Sequence, residues 1–167
     1  MIRPATIADA QRIAEIDIAG ERFAYQKIVP KNILDETLNL EDRTSRVQRW
    51  ITEKFFSVYV YEDNESGIIK GMMGFGECGD SDKSDAFELH FIYMDPAFSR
   101  QGIGGQLIDF FESEGKNLGY KAFVVWVLEE NEIGKGFYEK NGYAPDGKEK
   151  IFQRFNKKEI RYVKCIK

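Results

Sequence analysis

Histidine and cysteine are nearly missing from this chain: His90 stands alone, and Cys78 and Cys165 are the only thiols among 167 residues. With no Cys or His pair at ligand spacing, a metal site is not expected. The two thiols lie far apart in strand-like settings, so the expectation is a reduced, cytoplasmic protein without a disulfide framework. Positive charge is also in deficit, with 24 Lys and Arg against 28 Asp and Glu and a net charge of -4. No overall basic field draws in nucleic acid or an anionic membrane, and no basic stripe is interleaved with aromatics, so neither is an expected partner. No apolar run is long enough to span a bilayer, and Met1-Ile-Arg-Pro-Ala-Thr6 lacks the apolar core of a signal peptide. Repeats, low-complexity tracts and linkers are missing as well, which leaves one domain over residues 1–167 as the expectation.

What is present is organised around Glu88–Phe111. Phe87, Leu89, Phe91 and Tyr93 alternate with Glu88, His90, Ile92 and Met94, which is the period of a strand. Pro96 ends it, since proline cannot donate to a ladder and pushes Asp95 out of helical geometry. A helix follows, with Ile103, Leu107, Phe110 and Phe111 on one face. It begins inside a glycine cluster, Gly102, Gly104 and Gly105, beside Arg100. The first N–H groups of a helix have no internal partner, and the helix dipole adds partial positive charge there. Glycines let a ligand approach that backbone closely, so this junction suits a phosphate or pyrophosphate. A glycine-rich turn that only lets the helix pack on the sheet is the competing reading. No Gly-Lys-Ser/Thr follows, and Gly102-Ile-Gly-Gly-Gln-Leu107 is not Gly-x-Gly-x-x-Gly, so neither the P-loop nor the dinucleotide fingerprint applies.

The rest of the chain gives the element order. Ile2 starts a short strand, and Thr6 with Asp9 resembles a capping box ahead of a helix that Gly20 is expected to end. Short helices follow at Ile33–Leu38 and Leu40–Lys54, the second with Val47, Trp50 and Ile51 inward and Arg43, Arg46 and Arg49 on a solvated face. Phe55–Tyr61 reads as a central strand, Asp63–Gly67 as a hairpin turn and Ile68–Gly76 as the return strand. Gly71, Gly74 and Gly76 mark a bulge or a close ligand approach. Gly79–Asp85 is an acidic loop. Ala122–Leu128 is a buried strand, Asn131–Lys140 a short helix stopped by Asn141-Gly142, and Ile151–Phe155 with Glu159–Ile166 a closing hairpin. Trp50 and Trp126 read as core. This order predicts an α/β or α+β fold around one partly parallel sheet.

Order and motifs together resemble the GNAT superfamily of N-acetyltransferases. Ser99-Arg-Gln-Gly102-Ile-Gly104 is similar to that family's acetyl-CoA signature, Arg/Gln-x-x-Gly-x-Gly/Ala, with Ser99 in place of the usual Arg or Gln. Asn131 with Phe137-Tyr-Glu-Lys-Asn-Gly-Tyr143 resembles its second signature. The resemblance implies one mixed, mostly antiparallel sheet of about seven strands flanked by helices. It also implies acetyl-CoA as cofactor, an amine acceptor as second substrate, and pairing into a homodimer. Under it, main-chain N–H groups of Gln101, Gly102, Ile103, Gly104 and Gly105, with Arg100 as a neighbouring cation, hold the pyrophosphate. Ile92, Tyr93 and Met94 offer main-chain groups to the pantetheine arm, with Met94 N–H on the thioester oxygen. Asn131 hydrogen-bonds the pantetheine, and Tyr138 is the general acid at sulfur.

An attacking amine must be neutral, so a base is needed. Glu88 is the candidate, because strict alternation puts it on the strand face of His90, Ile92 and Met94. A structural role for Glu88, and for His90 as a strand histidine, competes with this. A non-catalytic acyl-CoA sensor, or transfer of another acyl group, competes with acetyl transfer.

Overall fold

The protein is described here by a computed structural model over residues 1–166. Its seven strands are β1 (Ile2–Pro4), β2 (Ser57–Glu62), β3 (Ile69–Glu77), β4 (Ala86–Met94), β5 (Ala122–Leu128), β6 (Ala144–Phe152) and β7 (Lys157–Cys165). Its five α-helices are α1 (Ala10–Tyr25), α2 (Lys31–Thr37), α3 (Leu40–Glu53), α4 (Ile103–Asn117) and α5 (Glu132–Lys140). The strands form one sheet in the order β1-β2-β3-β4-β5-β7-β6. Every pair is antiparallel except β4–β5, whose crossover runs through α4. The expected mixed, mostly antiparallel sheet with flanking helices is what forms. No helix among the described residues is long and apolar enough to cross a membrane.

The two faces of the sheet bury different cores. On one, Ile103, Leu107, Ile108 and Phe111 of α4 pack with Phe75, Phe87, Leu89, Ile92, Phe123 and Val125. On the other, Ile13, Ala14 and Ile16 of α1 and Val47 of α3 pack with Val58, Val60 and Met72. The aromatic run therefore forms β2, but as the second strand from an edge rather than a central one.

Local details depart from the periodicity for stated reasons. α1 runs through Gly20 instead of stopping there, because the glycine makes room for a neighbour: a Cβ at Gly20 would lie 2.6 Å from the Tyr93 ring. Gly74 likewise lies under Phe91, with 2.3 Å between a built Cβ and the ring. The glycines of β3 serve side-chain packing and a bulge, not a ligand. The closing hairpin begins at Ala144, earlier than expected, since its first half is solvent-exposed on both faces and carries no apolar alternation.

The bulge on β4 has the larger consequence. Gly74 pairs with Phe91 and Phe75 with Leu89, so His90 is an extra residue. An extra residue reverses which face the side chains address. Phe87 and Leu89 share the α4 face with Ile92 and Met94, whereas Phe91 and Tyr93 pack on the α1–α3 face.

Candidate active site

β4 and β5 part company halfway along. Their pairing runs from Ala86–Ala122 to Leu89–Val125, yet β4 continues to Met94 and β5 to Leu128. A cleft of about 1340 Å³ occupies the splay. It is lined from β4 and β5, from the start of α4, from α5, and across the sheet from α1, α3 and the β6–β7 hairpin.

The open edge of β4 supplies main-chain groups. Asp95 N–H donates to the Lys70 carbonyl at 2.9 Å. Antiparallel partners alternate between bonded and non-bonded pairs, so Tyr93 also faces β3, while N–H and C=O of Ile92 and Met94 face the cleft. Ile92 and Met94 thus stand where expected. Tyr93 does not offer its main chain to the cleft; its phenol instead lies 3.1 Å from that of Tyr25 on α1.

At one end of the cleft the chain enters α4 through Arg100 (φ 61°) and Gly102 (φ 74°), both in left-handed geometry. Among the described residues, N–H groups of Gln101, Gly102, Ile103, Gly104 and Gly105 have no protein acceptor, and Gln106 is the first to close the helix, on Gly102. The two neighbouring glycines differ. A Cβ at Gly104 would lie 3.1 Å from both Met94 and Phe137, while one at Gly105 meets no atom within 4 Å. Gly104 therefore serves packing, and Gly105 opens space beside free donors. A diphosphate fits such a cradle. Arg100 lines the cleft and forms no ion pair among the described residues.

Tyr138 and Asn131 stand toward the other end. Tyr138 is 7% exposed, edge-on to Phe137 and Tyr143, and burial pushes its pKa well up. Asn131 caps α5, its Oδ1 accepting from Gly134 N–H at 3.0 Å. Its amide nitrogen has no protein acceptor among the described residues, so capping leaves a donor for a ligand.

The opposite wall is charged. Arg43 is buried and binds Asp17 and, at 3.3 Å, Glu21. Glu21 also accepts from Arg154 at 2.6 Å. Arg43 is thus not on a solvated face. Asp17 and Glu21 continue the buried stripe of Ala10, Ile13 and Ala14 along α1, and two acids on an apolar stripe require cations. That pattern is visible in the chain, but the distant arginines are not. Trp50 and Trp126 pack against buried clusters, as expected, and also line the cleft.

Glu159 also lies on this wall, half-buried and without a hydrogen-bond or ion-pair partner among the described residues. Burial raises its pKa, aided by the charge of Glu88 and opposed by Lys150 and Arg154. No local pattern marks it, since its place follows only from pairing with Leu128.

Glu88 is on the face opposite Ile92 and Met94 because of the bulge, and it does not line the cleft. Its carboxylate lies 3.3 Å from His90 Nδ1 and accepts from Gly79 N–H at 3.3 Å. Burial raises its pKa, but His90 and the Gly79 N–H outweigh that and hold it below the ordinary value. The cluster keeps Glu88 ionised and engaged with His90.

An open mixed sheet, splayed at its one parallel pair, with unpaired helix amides at one end of the splay and a buried tyrosine at the other, defines an acyl-carrier-binding transferase architecture. Residues 25–143 match the model of the Acetyltransferase (GNAT) family, and the chain belongs to that family. No curated protein matches it. Among solved structures, the PaiA N-acetyltransferase of Thermoplasma acidophilum, in complex with coenzyme A, is similar with a TM-score of 0.75 at 18% identity, covering 96% of each chain. Ribosomal-protein-alanine N-acetyltransferase of Brucella melitensis gives a TM-score of 0.72 at 20% identity over 99% of each chain. The yncA protein of Salmonella typhimurium, solved with its cofactor acetyl-CoA, gives 0.69 at 20% identity, covering 100% of this chain and 94% of that one.

Proposed function

We propose that this protein transfers an acetyl group from acetyl-CoA to an amine of a small molecule or peptide N-terminus, with both substrates bound together. The observation that carries this is the open edge of β4, which leads from the free α4 amides toward the buried Tyr138 hydroxyl. Acetyl-CoA would supply a thioester carbonyl and a thiolate leaving group. N–H groups of Gln101–Gly105, with Arg100 beside them, hold the diphosphate. Ile92 and Met94 pair with the arm as a further strand, and Asn131 donates to it from its amide. Met94 N–H stabilises charge that grows on the carbonyl oxygen.

Proton accounting assigns the remaining side chains. As the C–N bond forms and the C–S bond breaks, nitrogen loses one proton and sulfur gains one. Glu159, facing the cleft with a raised pKa and no partner, accepts the first directly or through water. Tyr138, kept protonated by burial, donates the second. Glu159 takes the base role in preference to Glu88, which does not line the cleft and is engaged by His90 and the Gly79 N–H. A cytoplasmic setting accords with both cysteines being free.

Thiol release from acetyl-CoA, screened against amino acids, peptide N-termini, polyamines and aminoglycosides, tests the reading. Acceptor-dependent release that collapses in Tyr138→Phe is the expected result. Release independent of any acceptor, or undiminished in that variant, contradicts it.

A further inference from the structure

The acceptor wall carries an unusual balance of charge. Asp17 and Glu21 are already matched by Arg43 and Arg154, two carboxylates against two guanidiniums. Arg100 and Lys140 belong to the α4 and α5 side of the cleft; on the wall built by α1, α3 and the β6–β7 hairpin, two charged groups are without partners among the described residues, Arg46 on α3 and Glu159 on β7. Arg154 has its Nε buried and lacking an acceptor. That wall thus offers one free cation and one free anion beside a neutralised cluster. Arg46 and Glu159 are far apart in the chain and line one cleft because the β6–β7 hairpin reaches α1 through the Arg154–Glu21 pair.

We propose that the acceptor is an amine that also carries a carboxylate, as an α-amino acid does, with its carboxylate on Arg46 and its amine toward Glu159. This rests on the transferase reading above. A guanidinium fork matches a carboxylate by two parallel hydrogen bonds, and an amine set near a carboxylate is drawn to the residue that must take its proton. A polyamine fits poorly, because its second ammonium meets Arg46 and the arginines behind it, where like charges repel. Trp50 and Tyr25, lining the same wall, leave apolar surface for the acceptor's side chain.

The test compares the twenty L-amino acids with their carboxamides and with spermidine, in thiol-release assays on the full chain. A free carboxylate should raise kcat/KM by about 10- to 100-fold over the matched carboxamide, the range of one charge-assisted hydrogen bond. In Arg46→Gln that preference should shrink to within about threefold through the KM of the acid, and Arg46→Lys should restore part of it. Equal rates with acid and amide, or a preference for spermidine, overturn the inference while leaving acetyl transfer intact. If no acceptor releases thiol, the transferase reading itself fails. Calorimetry of the same amino acids on the coenzyme A-loaded protein then decides the pocket alone: binding weakened by Arg46→Gln supports it, and no binding overturns it.

Discussion

Tyr138 and Glu159 carry the proposed chemistry, and both depend on burial. Desolvation disfavours charged phenolate and carboxylate alike, so one keeps its proton and the other gains basicity. Tyr138→Phe should lower kcat by about 10²–10⁴-fold, the range of acid–base catalysis, and leave the coenzyme A Kd within about twofold. For Glu159 the sign is set by its raised pKa: the basic form is lost as pH falls through a value above the ordinary carboxylate range. kcat/KM should therefore fall on that acid side, and Glu159→Gln should abolish the limb together with most of the rate. Glu88→Gln should retain the limb; its loss there would return the base role to Glu88. Tyr138 was legible in the chain because its motif is local. Glu159 was not, because a single extra residue at His90 reverses the alternation that favoured Glu88, and no periodicity announces an insertion.

At the scale of elements, the entry into α4 decides cofactor binding, and its two adjacent glycines separate packing from function. Gly104→Val should destabilise the fold by about 1–3 kcal/mol, as overpacking does, because its side chain meets Met94 and Phe137. Gly105→Val should fold normally and weaken coenzyme A by about tenfold or more, or about 1.4 kcal/mol, by filling the space beside the amides. Chemical denaturation and calorimetry tell the two apart; the reverse pattern would sink the assignment.

The N-terminal turn gives a second check. Asp9 accepts from Thr6 N–H and hydroxyl at 2.8 Å and binds Arg3, which holds its pKa down at about 2. A carboxylate depressed on folding adds stability above its unfolded pKa, and that stability is lost as pH falls through its folded one. Asp9→Asn should then cost about 1–2 kcal/mol at pH 7, a cost that shrinks as pH falls toward 2 and vanishes below it. Thr6 and Asp9 were readable because capping is local. Gly20 misled because its partner, the Tyr93 ring, lies far along the chain.

For the whole molecule, the antiparallel meander and the closing hairpin followed from turns and periodicities, and the crossover from the strand–helix–strand run around α4, whereas the place of β7 between β5 and β6 did not. The acceptor wall did not. Arg43 and Arg46 on α3 are far along the chain from Arg154 in the β6–β7 turn and Glu159 on β7, and their convergence needs the complete sheet. β4 and β5 are joined by only four residue pairs below the cleft, so a ligand bridging the splay should stabilise the fold as a unit. At a hundredfold excess over Kd, coenzyme A should add about 2.7 kcal/mol, which for a domain of this size raises Tm by roughly 5–10 °C. An unchanged Tm would mean that no tight complex forms with the native state.

A crystal structure of the coenzyme A complex bears most directly on the central claim. The account predicts the diphosphate on the amides of Gln101–Gly105, the pantetheine arm along Ile92 and Met94 between β4 and β5, and the sulfur within hydrogen-bond reach of the Tyr138 hydroxyl. Coenzyme A lying outside that splay, or a sulfur directed away from Tyr138, would contradict it.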